Sequence, residues 1–173
     1  MGTDIHVVFE YYDNKTNRWR AMDTEDLGEK YKNLSYTDEE AKNYLLKIFC
    51  GYEHTFARAY VGFEFLGCNR ENYGLTPIQT NNIPTDLHPI TIDRLERWGG
   101  DAHTKRVLTL TDIETYVPSD TTQFPNPYLF KKETTLSEAD IWKQNGLMNT
   151  LRKFLTRLEK AFGNVRMLYW FDN

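Results

Sequence analysis

Near the start of the chain stands Ile5-His6-Val7-Val8-Phe9-Glu10-Tyr11-Tyr12, a run of β-branched and aromatic residues that favours a β-strand. The turn-forming residues Asp13-Asn14-Lys15-Thr16-Asn17 follow it, and Arg18-Trp19-Arg20-Ala21-Met22 then returns to strand-like composition. This order predicts a β-hairpin. Because side chains alternate between the two faces of a strand, one face should be buried, formed by Ile5, Val7, Phe9 and Tyr11. The opposite face is more polar and is formed by Asp4, His6, Val8 and Glu10.

The end of the chain predicts a helix followed by a strand. A stripe of apolar residues at helical spacing indicates a long helix that Gly163 ends, and its members are Leu147, Leu151, Phe154, Leu155, Leu158 and Phe162. Val165–Phe171 is almost entirely apolar and predicts a buried strand. We therefore expect an α+β fold in which a small sheet, made of the N-terminal hairpin and the C-terminal strand, packs helices on one face. With 173 residues, 40% of them hydrophobic, residues 1–173 are predicted to form a single domain.

Between these ends the chain alternates helical and irregular segments. Thr37-Asp38-Glu39-Glu40 is a capping box for a helix that Gly51 ends, and Thr55–Gly67 favours a further helix. Asn72–Pro89 carries prolines among polar residues and predicts a long irregular loop. Apolar residues spaced over Ile92–Trp98 indicate a short helix, and Thr111-Asp112-Ile113-Glu114 is a second capping box.

Composition excludes several classes of protein. The net charge of −4 is spread without long blocks of either sign, which argues against duplex nucleic acid as the main partner. No segment resembles a secretory leader or reaches about 18 uninterrupted apolar residues, so we expect a protein of the cytoplasm with no membrane partner. Cys50 and Cys68 are predicted to be buried free thiols. Nucleotide-binding glycine loops and the HExxH protease motif are missing from the sequence.

The motif that most resembles chemistry is Asp-x-His, which occurs at Asp4-Ile5-His6, Asp86-Leu87-His88 and Asp101-Ala102-His103. With 12 aspartates and 4 histidines in 173 residues, chance would give roughly 0.3 such triplets. On an extended segment the two side chains project to the same face, so the carboxylate can orient the imidazole or share a metal ion with it. The excess of Asp-x-His triplets over chance supports the hypothesis that they form a functional site.

Two hypotheses use this motif. In the first, the chain binds a small anionic, nucleotide-like ligand without turnover, through Arg58, Arg70, Trp98, Asp101, His103 and Thr104. In the second, it is a metal-dependent hydrolase or phosphodiesterase. A loop would bring Asp101 and His103 to the edge of the first strand, and a divalent Zn, Mn or Fe ion would be held by Asp4, His6, Asp101, His103 and Asp172. The ligand hypothesis ranks first and both stay open.

Simpler interpretations stand beside these hypotheses. A third class of function is a protein-surface inhibitor or a virion-associated protein, for which the proline-rich Val117–Leu129 would matter more than the histidines. The histidines of the motif can also be structural imidazoles that are held by hydrogen bonds. His88, which precedes Pro89 in a loop, is predicted to be exposed to solvent.

Three segments resemble a family of small phage- and prophage-encoded proteins: Met1-Gly2-Thr3-Asp4-Ile5-His6, Trp98-Gly99-Gly100-Asp101-Ala102-His103-Thr104 and Trp170-Phe171-Asp172-Asn173. Members of that family typically open Met-Gly-Cys-Asp-Ile-His, so Thr3 departs from the pattern. The resemblance implies a phage context, location in the cytoplasm of the bacterial host and an accessory role toward host defence or metabolism, with a host protein as a further possible partner. It supplies no mechanism.

Overall fold

The structure is a computed structural model that describes residues 4–22, 59–68, 70–128 and 134–172. The helix predicted after Thr37, the thiol of Cys50 and the side chain of Arg58 lie outside these residues. In the described part, no helix combines the length and the apolar character needed to cross a lipid bilayer.

The predicted hairpin is present and forms one side of the main sheet. Strand β1 (Ile5–Asp13) pairs antiparallel with β2 (Arg18–Ala21). The Asp13 carboxylate stabilises the turn, since it accepts hydrogen bonds from the backbone N–H of Lys15 at 2.9 Å and from the Thr16 hydroxyl at 3.0 Å. These two bonds hold the pKa of Asp13 below its usual value.

The C-terminal strand lies at the centre of the sheet. Strand β7 (Val165–Phe171) pairs antiparallel with β1 on one side and with β4 (His103–Leu108) on the other, and β3 (Asn81–Asn82) adds an edge beyond β4. The strand order is β2-β1-β7-β4-β3. The sequence predicted the first three strands but neither β3 nor β4, because His103-Thr104-Lys105-Arg106 lacks the apolar alternation of a strand and owes its extended form to pairing with β7.

One face of the sheet carries the main core. Helix α1 (Tyr60–Phe65), α3 (Leu110–Thr115), α4 (Glu138–Gln144) and α5 (Gly146–Phe162) contribute to it. The apolar stripe of α5 is buried as predicted, against sheet residues that include Ile5, Phe9, Tyr11, Met167, Tyr169 and Phe171. Gly163, at φ 82°, ends α5 in the left-handed conformation that glycine adopts without strain.

The opposite face of the sheet is covered as well, which corrects the expectation of helices on one face only. Helix α2 (Pro89–Trp98) packs there, where Leu95 and Trp98 contact a small cluster of Val8, Ala21, Ala102 and Trp170. The more polar face of β1 is therefore buried: His6 and Glu10 are 5% and 0% exposed. We call this second side of the sheet the α2 face.

Two buried carboxylates order the loops that connect these elements. Glu64 accepts hydrogen bonds from the backbone N–H groups of Tyr73 and Leu75, and Glu138 accepts them from Thr76 and Ser119. Residues 72–80, predicted to be irregular, form no helix or strand. The backbone N–H groups of Tyr73, Leu75 and Thr76 instead donate hydrogen bonds to acidic side chains.

The remaining elements are short. A two-stranded sheet of β5 (Gln123–Pro125) and β6 (Thr135–Ser137) precedes α4. The capping box of α3 begins at Thr109, with Asp112 as its acidic partner, and the prediction that placed it at Thr111 was two residues late. Thr109 is the residue that has extended backbone and can therefore accept from the first helical amides.

Candidate functional site

The first predicted site residues lie where β1 begins and β7 ends. Asp172 Oδ1 accepts a hydrogen bond from the backbone N–H of Asp4 at 3.0 Å, and Asp172 Oδ2 lies 3.2 Å from His6 Nε2. The approach of Asp172 to Asp4 and His6, which the sequence hypothesis required, is therefore present. It follows from the antiparallel register, which pairs Ile5 with Phe171.

The imidazole of His6 is enclosed rather than open to a ligand. Its ring centroid lies 3.9 Å from that of Trp98 and 5.7 Å from that of Trp170, on the α2 face. With a side chain only 5% exposed and its Nε2 facing Asp172, His6 has the surroundings of a structural imidazole. Trp98, predicted to contact a ligand, packs here as well.

His103 lies on the other side of the sheet. It pairs with Phe171 in the register of β4 and β7, and the two rings stack with their centroids 6.0 Å apart. Phe171 belongs to the main core, whereas its neighbour Trp170 belongs to the α2 face. The structure therefore brings His6 and His103 to the same end of the sheet but places them on opposite faces.

The backbone next to His103 is strained. Thr104 has a φ of 50°, which is unfavourable for a β-branched residue, and a break in the β4–β7 register falls between His103 and Arg106. His103 Nδ1 lies 3.1 Å from Thr104 Oγ1. The Nε2 atom is buried and has no hydrogen-bond partner among the described residues.

Two further residues of the ligand hypothesis, Arg70 and Asp101, lie in the described part of the chain. Arg70 has its guanidinium 5.8 Å from the ring centroid of Tyr60, beside α1, and Asp101 is exposed ahead of β4. Residues 4–22, 59–68, 70–128 and 134–172 hold no group of three or more His, Cys, Asp or Glu side chains placed to bind one metal ion. The two imidazoles of the metal hypothesis thus do not share one site in this part of the chain, and the ligand hypothesis stays a prediction.

A different arrangement occupies the far end of the α2 face. A groove of about 970 Å³ runs between the β1–β2 hairpin and the segment Asp86–Pro89, and its walls include Tyr12, Arg18, Trp19, Arg20, Asp86 and His88. We call it the hairpin groove. Tyr12 and Trp19 are cross-strand partners whose rings meet edge to face at 5.5 Å. The lining of the groove thus includes two aromatic rings and two arginines, and one of these, Arg20, has its Nη1 3.8 Å from Asp13 Oδ2.

Two residues of the groove lining, Trp19 and Asp86, contact a buried ion pair, which we call the floor of the groove. Arg166 on β7 contacts Glu10 on β1 through Nε at 2.8 Å and Nη2 at 2.7 Å, and these side chains are 7% and 0% exposed. The guanidinium also lies 3.9 Å over the ring of Trp19. Its remaining donors reach Asp86, through Nη1 to Oδ1 at 2.9 Å and Nη2 to the backbone carbonyl at 3.1 Å.

Glu10 also anchors the start of α2. Its Oε1 accepts from the backbone N–H of His88 at 2.9 Å and from the Thr91 hydroxyl at 2.5 Å. The Glu10 carboxylate therefore accepts hydrogen bonds at the N-terminal end of α2, where a negative charge is favourable. His88 is half-buried and caps α2 through Nδ1, which accepts from the Ile90 N–H at 3.3 Å, so the prediction of an exposed His88 was wrong.

Sequence reasoning missed the residues of the hairpin groove. Arg18-Trp19-Arg20 was interpreted only as a strand, although a tryptophan between two arginines is a local pattern typical of anion and ring recognition. The pairing of Glu10 with Arg166 had no local signal, because 156 positions separate them. Asp86 drew attention only as part of an Asp-x-His triplet.

Comparisons of the chain with protein-family models, with curated proteins and with solved structures find no match. The resemblance to phage-encoded proteins therefore stays a prediction.

Proposed function

We propose that this protein binds a small anionic ligand with a planar ring, such as a nucleotide, in the hairpin groove. The observation that carries the proposal is the groove itself, with aromatic and cationic walls above an ion-paired floor. Its volume of about 970 Å³ is at the upper end of the range of roughly 300–1,000 Å³ that is common for small-molecule sites.

The side chains of the groove suit the two parts of such a ligand. Arg18 and Arg20 are exposed on the edge strand β2, where they alternate with Trp19, and Arg20 lies 3.8 Å from Asp13. Their long side chains would donate paired hydrogen bonds to a phosphate at the rim of the groove, with Arg20 exchanging its contact with Asp13 for the ligand. Trp19 and Tyr12 are half-buried and offer ring surface to a base. Binding of this kind needs no metal ion. The proposal therefore keeps the ligand class of the first sequence hypothesis but places the ligand in a different part of the protein.

The floor supports the proposal because it is rigid. Glu10 and Arg166 fix Trp19, Asp86 and the start of α2 relative to one another through contacts of 2.5–3.9 Å. A site that is ordered before the ligand arrives loses less conformational entropy on binding. In the phage context that the resemblance implies, sequestration of a nucleotide messenger of host defence in the bacterial cytoplasm would be one use of this groove.

The proposal is tested by calorimetric titration of the protein with AMP, ATP, GTP and inorganic phosphate at low and high salt. The double variant Arg18→Ala/Arg20→Ala should weaken nucleotide binding by about tenfold or more, since each charged hydrogen bond contributes about 1.5–3 kcal/mol. Added salt should weaken wild-type binding. Arg152→Ala is the matched control, because Arg152 is exposed on α5 at the opposite face of the sheet. Absence of binding to the wild type, or equal loss in the control, contradicts the proposal.

A further inference from the structure

We infer that Asp86 determines the specificity of the hairpin groove and that its ligand is a phosphorylated compound with an intact ribose. This inference rests on the proposed function and names the chemistry of the ligand. It starts from an unusual combination: Asp86 is 61% exposed, yet one guanidinium holds both its carboxylate and its backbone carbonyl.

The guanidinium that holds Asp86 cannot easily move. Arg166 is 7% exposed, is tied to Glu10 by two contacts and is covered by the ring of Trp19. An exposed aspartate on a loop normally samples several rotamers, whereas the Asp86 carboxylate is directed by a buried partner. The groove therefore presents a carboxylate of fixed orientation.

The chemistry of a carboxylate limits what can lie against it. An ionised carboxylate only accepts hydrogen bonds, and Oδ1 already accepts one from Arg166 Nη1. The ligand group beside Asp86 must consequently donate hydrogen bonds, and a phosphate is repelled from it. The phosphate is then expected away from Asp86, at the rim of the groove where β2 carries Arg18 and Arg20.

A ribose meets both demands within one small molecule. Its adjacent 2′- and 3′-hydroxyl groups can donate to the two oxygens of one carboxylate, and acidic side chains bind ribose hydroxyls in this way in dinucleotide sites. The 5′-phosphate of the same nucleotide carries the negative charge that arginine recognises. A ligand that lacks the hydroxyls would leave the carboxylate without donors.

The test compares the affinities of AMP and 2′,3′-dideoxy-AMP by calorimetry. Wild-type protein should prefer AMP by about tenfold or more, and Asp86→Asn should reduce this preference to less than about threefold, since the amide keeps the size but not the acceptor capacity of the carboxylate. Asp93→Asn is the matched control: Asp93 is 58% exposed on α2 and pairs with Arg97 outside the groove lining. It should keep the wild-type preference.

The outcomes separate this inference from the proposed function. Equal affinity of the wild type for both nucleotides, or an unchanged preference in Asp86→Asn, overturns the role of Asp86 while leaving anion binding in place. If neither nucleotide binds, the proposed function fails and the role of Asp86 fails with it. Asp86→Glu keeps the charge and displaces it by one methylene. Its preference for AMP should be intermediate, and its thermal unfolding should match that of the wild type, which shows that the change in preference does not come from misfolding.

Discussion

Glu10 and Arg166 face each other across the central strand pair β1–β7, and two guanidinium nitrogens lie within 2.8 Å of one carboxylate oxygen. Both side chains are removed from solvent, so each charge depends on the other for compensation. The same pair fixes the first turn of α2, the ring of Trp19 and the carboxylate of Asp86. The Glu10–Arg166 contact thus connects the buried side of the sheet to residues that line the hairpin groove.

Loss of one partner of this ion pair should be costly. Glu10→Ala leaves the Arg166 guanidinium buried without its carboxylate, and we expect the free energy of unfolding to fall by about 3–5 kcal/mol in urea titrations. The double variant Glu10→Met/Arg166→Met should lose less than the sum of the two single variants, because no unpaired charge remains. Additive losses would show that the two residues act separately.

The two enclosed histidines should behave independently. Since His6 and His103 lie on opposite faces with β7 between them, the stability losses of His6→Ala and His103→Ala should add within about 0.5 kcal/mol in the double variant. Elemental mass spectrometry of protein purified without chelator provides the second readout. A metal ion lost from both single variants together would contradict the separation of the two imidazoles and revive the metal-dependent hydrolase.

Gly62 should tolerate no side chain. A Cβ there would lie 2.7 Å from Leu147 Cδ2 and 3.0 Å from Asn145 Oδ1, the atom that caps α5 by accepting from the Met148 N–H. We expect Gly62→Ala to destabilise the protein by about 1–3 kcal/mol in chemical denaturation. Gly146→Ala is its control, because nothing lies within 4 Å of the added carbon, and a loss of stability there equal to that of Gly62→Ala would contradict the steric explanation.

Alkaline pH should destabilise the fold through Tyr169. Burial raises the pKa of Tyr169 to about 12, while its hydroxyl donates to the Leu66 carbonyl at 2.9 Å. In the unfolded chain a tyrosine titrates near about 10, so the stabilising contribution is complete below that pH and is lost as pH rises toward about 12. Tyr169→Phe should flatten the decline of unfolding free energy over this window. Tyr73, Tyr116 and Tyr128, whose pKa values burial also raises, contribute to the decline that remains. Parallel curves for wild type and variant would exclude Tyr169 as the cause.

The elements predicted correctly are those whose signal lies within their own stretch of sequence. The hairpin, α5 and β7 follow from alternation or helical spacing, and all three are confirmed. Strand β4 has polar residues at its start and becomes a strand only by pairing with β7. Helix α2 was predicted but its docking was not, since it packs through Leu95 and Trp98 while Ile90 and Ile92 are exposed, and its apolar spacing does not mark which side is buried.

The candidate site was predicted less well than the fold, for a physical reason. The predicted approach of Asp172 to Asp4 and His6 is present, but alternation on paired strands sent His103 to the opposite face. Burial of the polar face of β1 depends on Arg166, which reaches Glu10 from the other end of the chain. Contacts of that separation leave no periodic signal in either segment.

The central position of β7 has a consequence for biosynthesis. On the side of β1 that faces β7, the backbone ladder from Ile5 to Tyr11 is completed by residues 165–171, so a nascent chain holds β1 without this partner until those residues are synthesised. Closure of so long a loop is slow, and an unpaired apolar strand is an aggregation hazard in the meantime. We expect acquisition of the sheet to be a late event on the ribosome, with the yield of folded protein sensitive to chaperones that shield the emerging N-terminal hairpin.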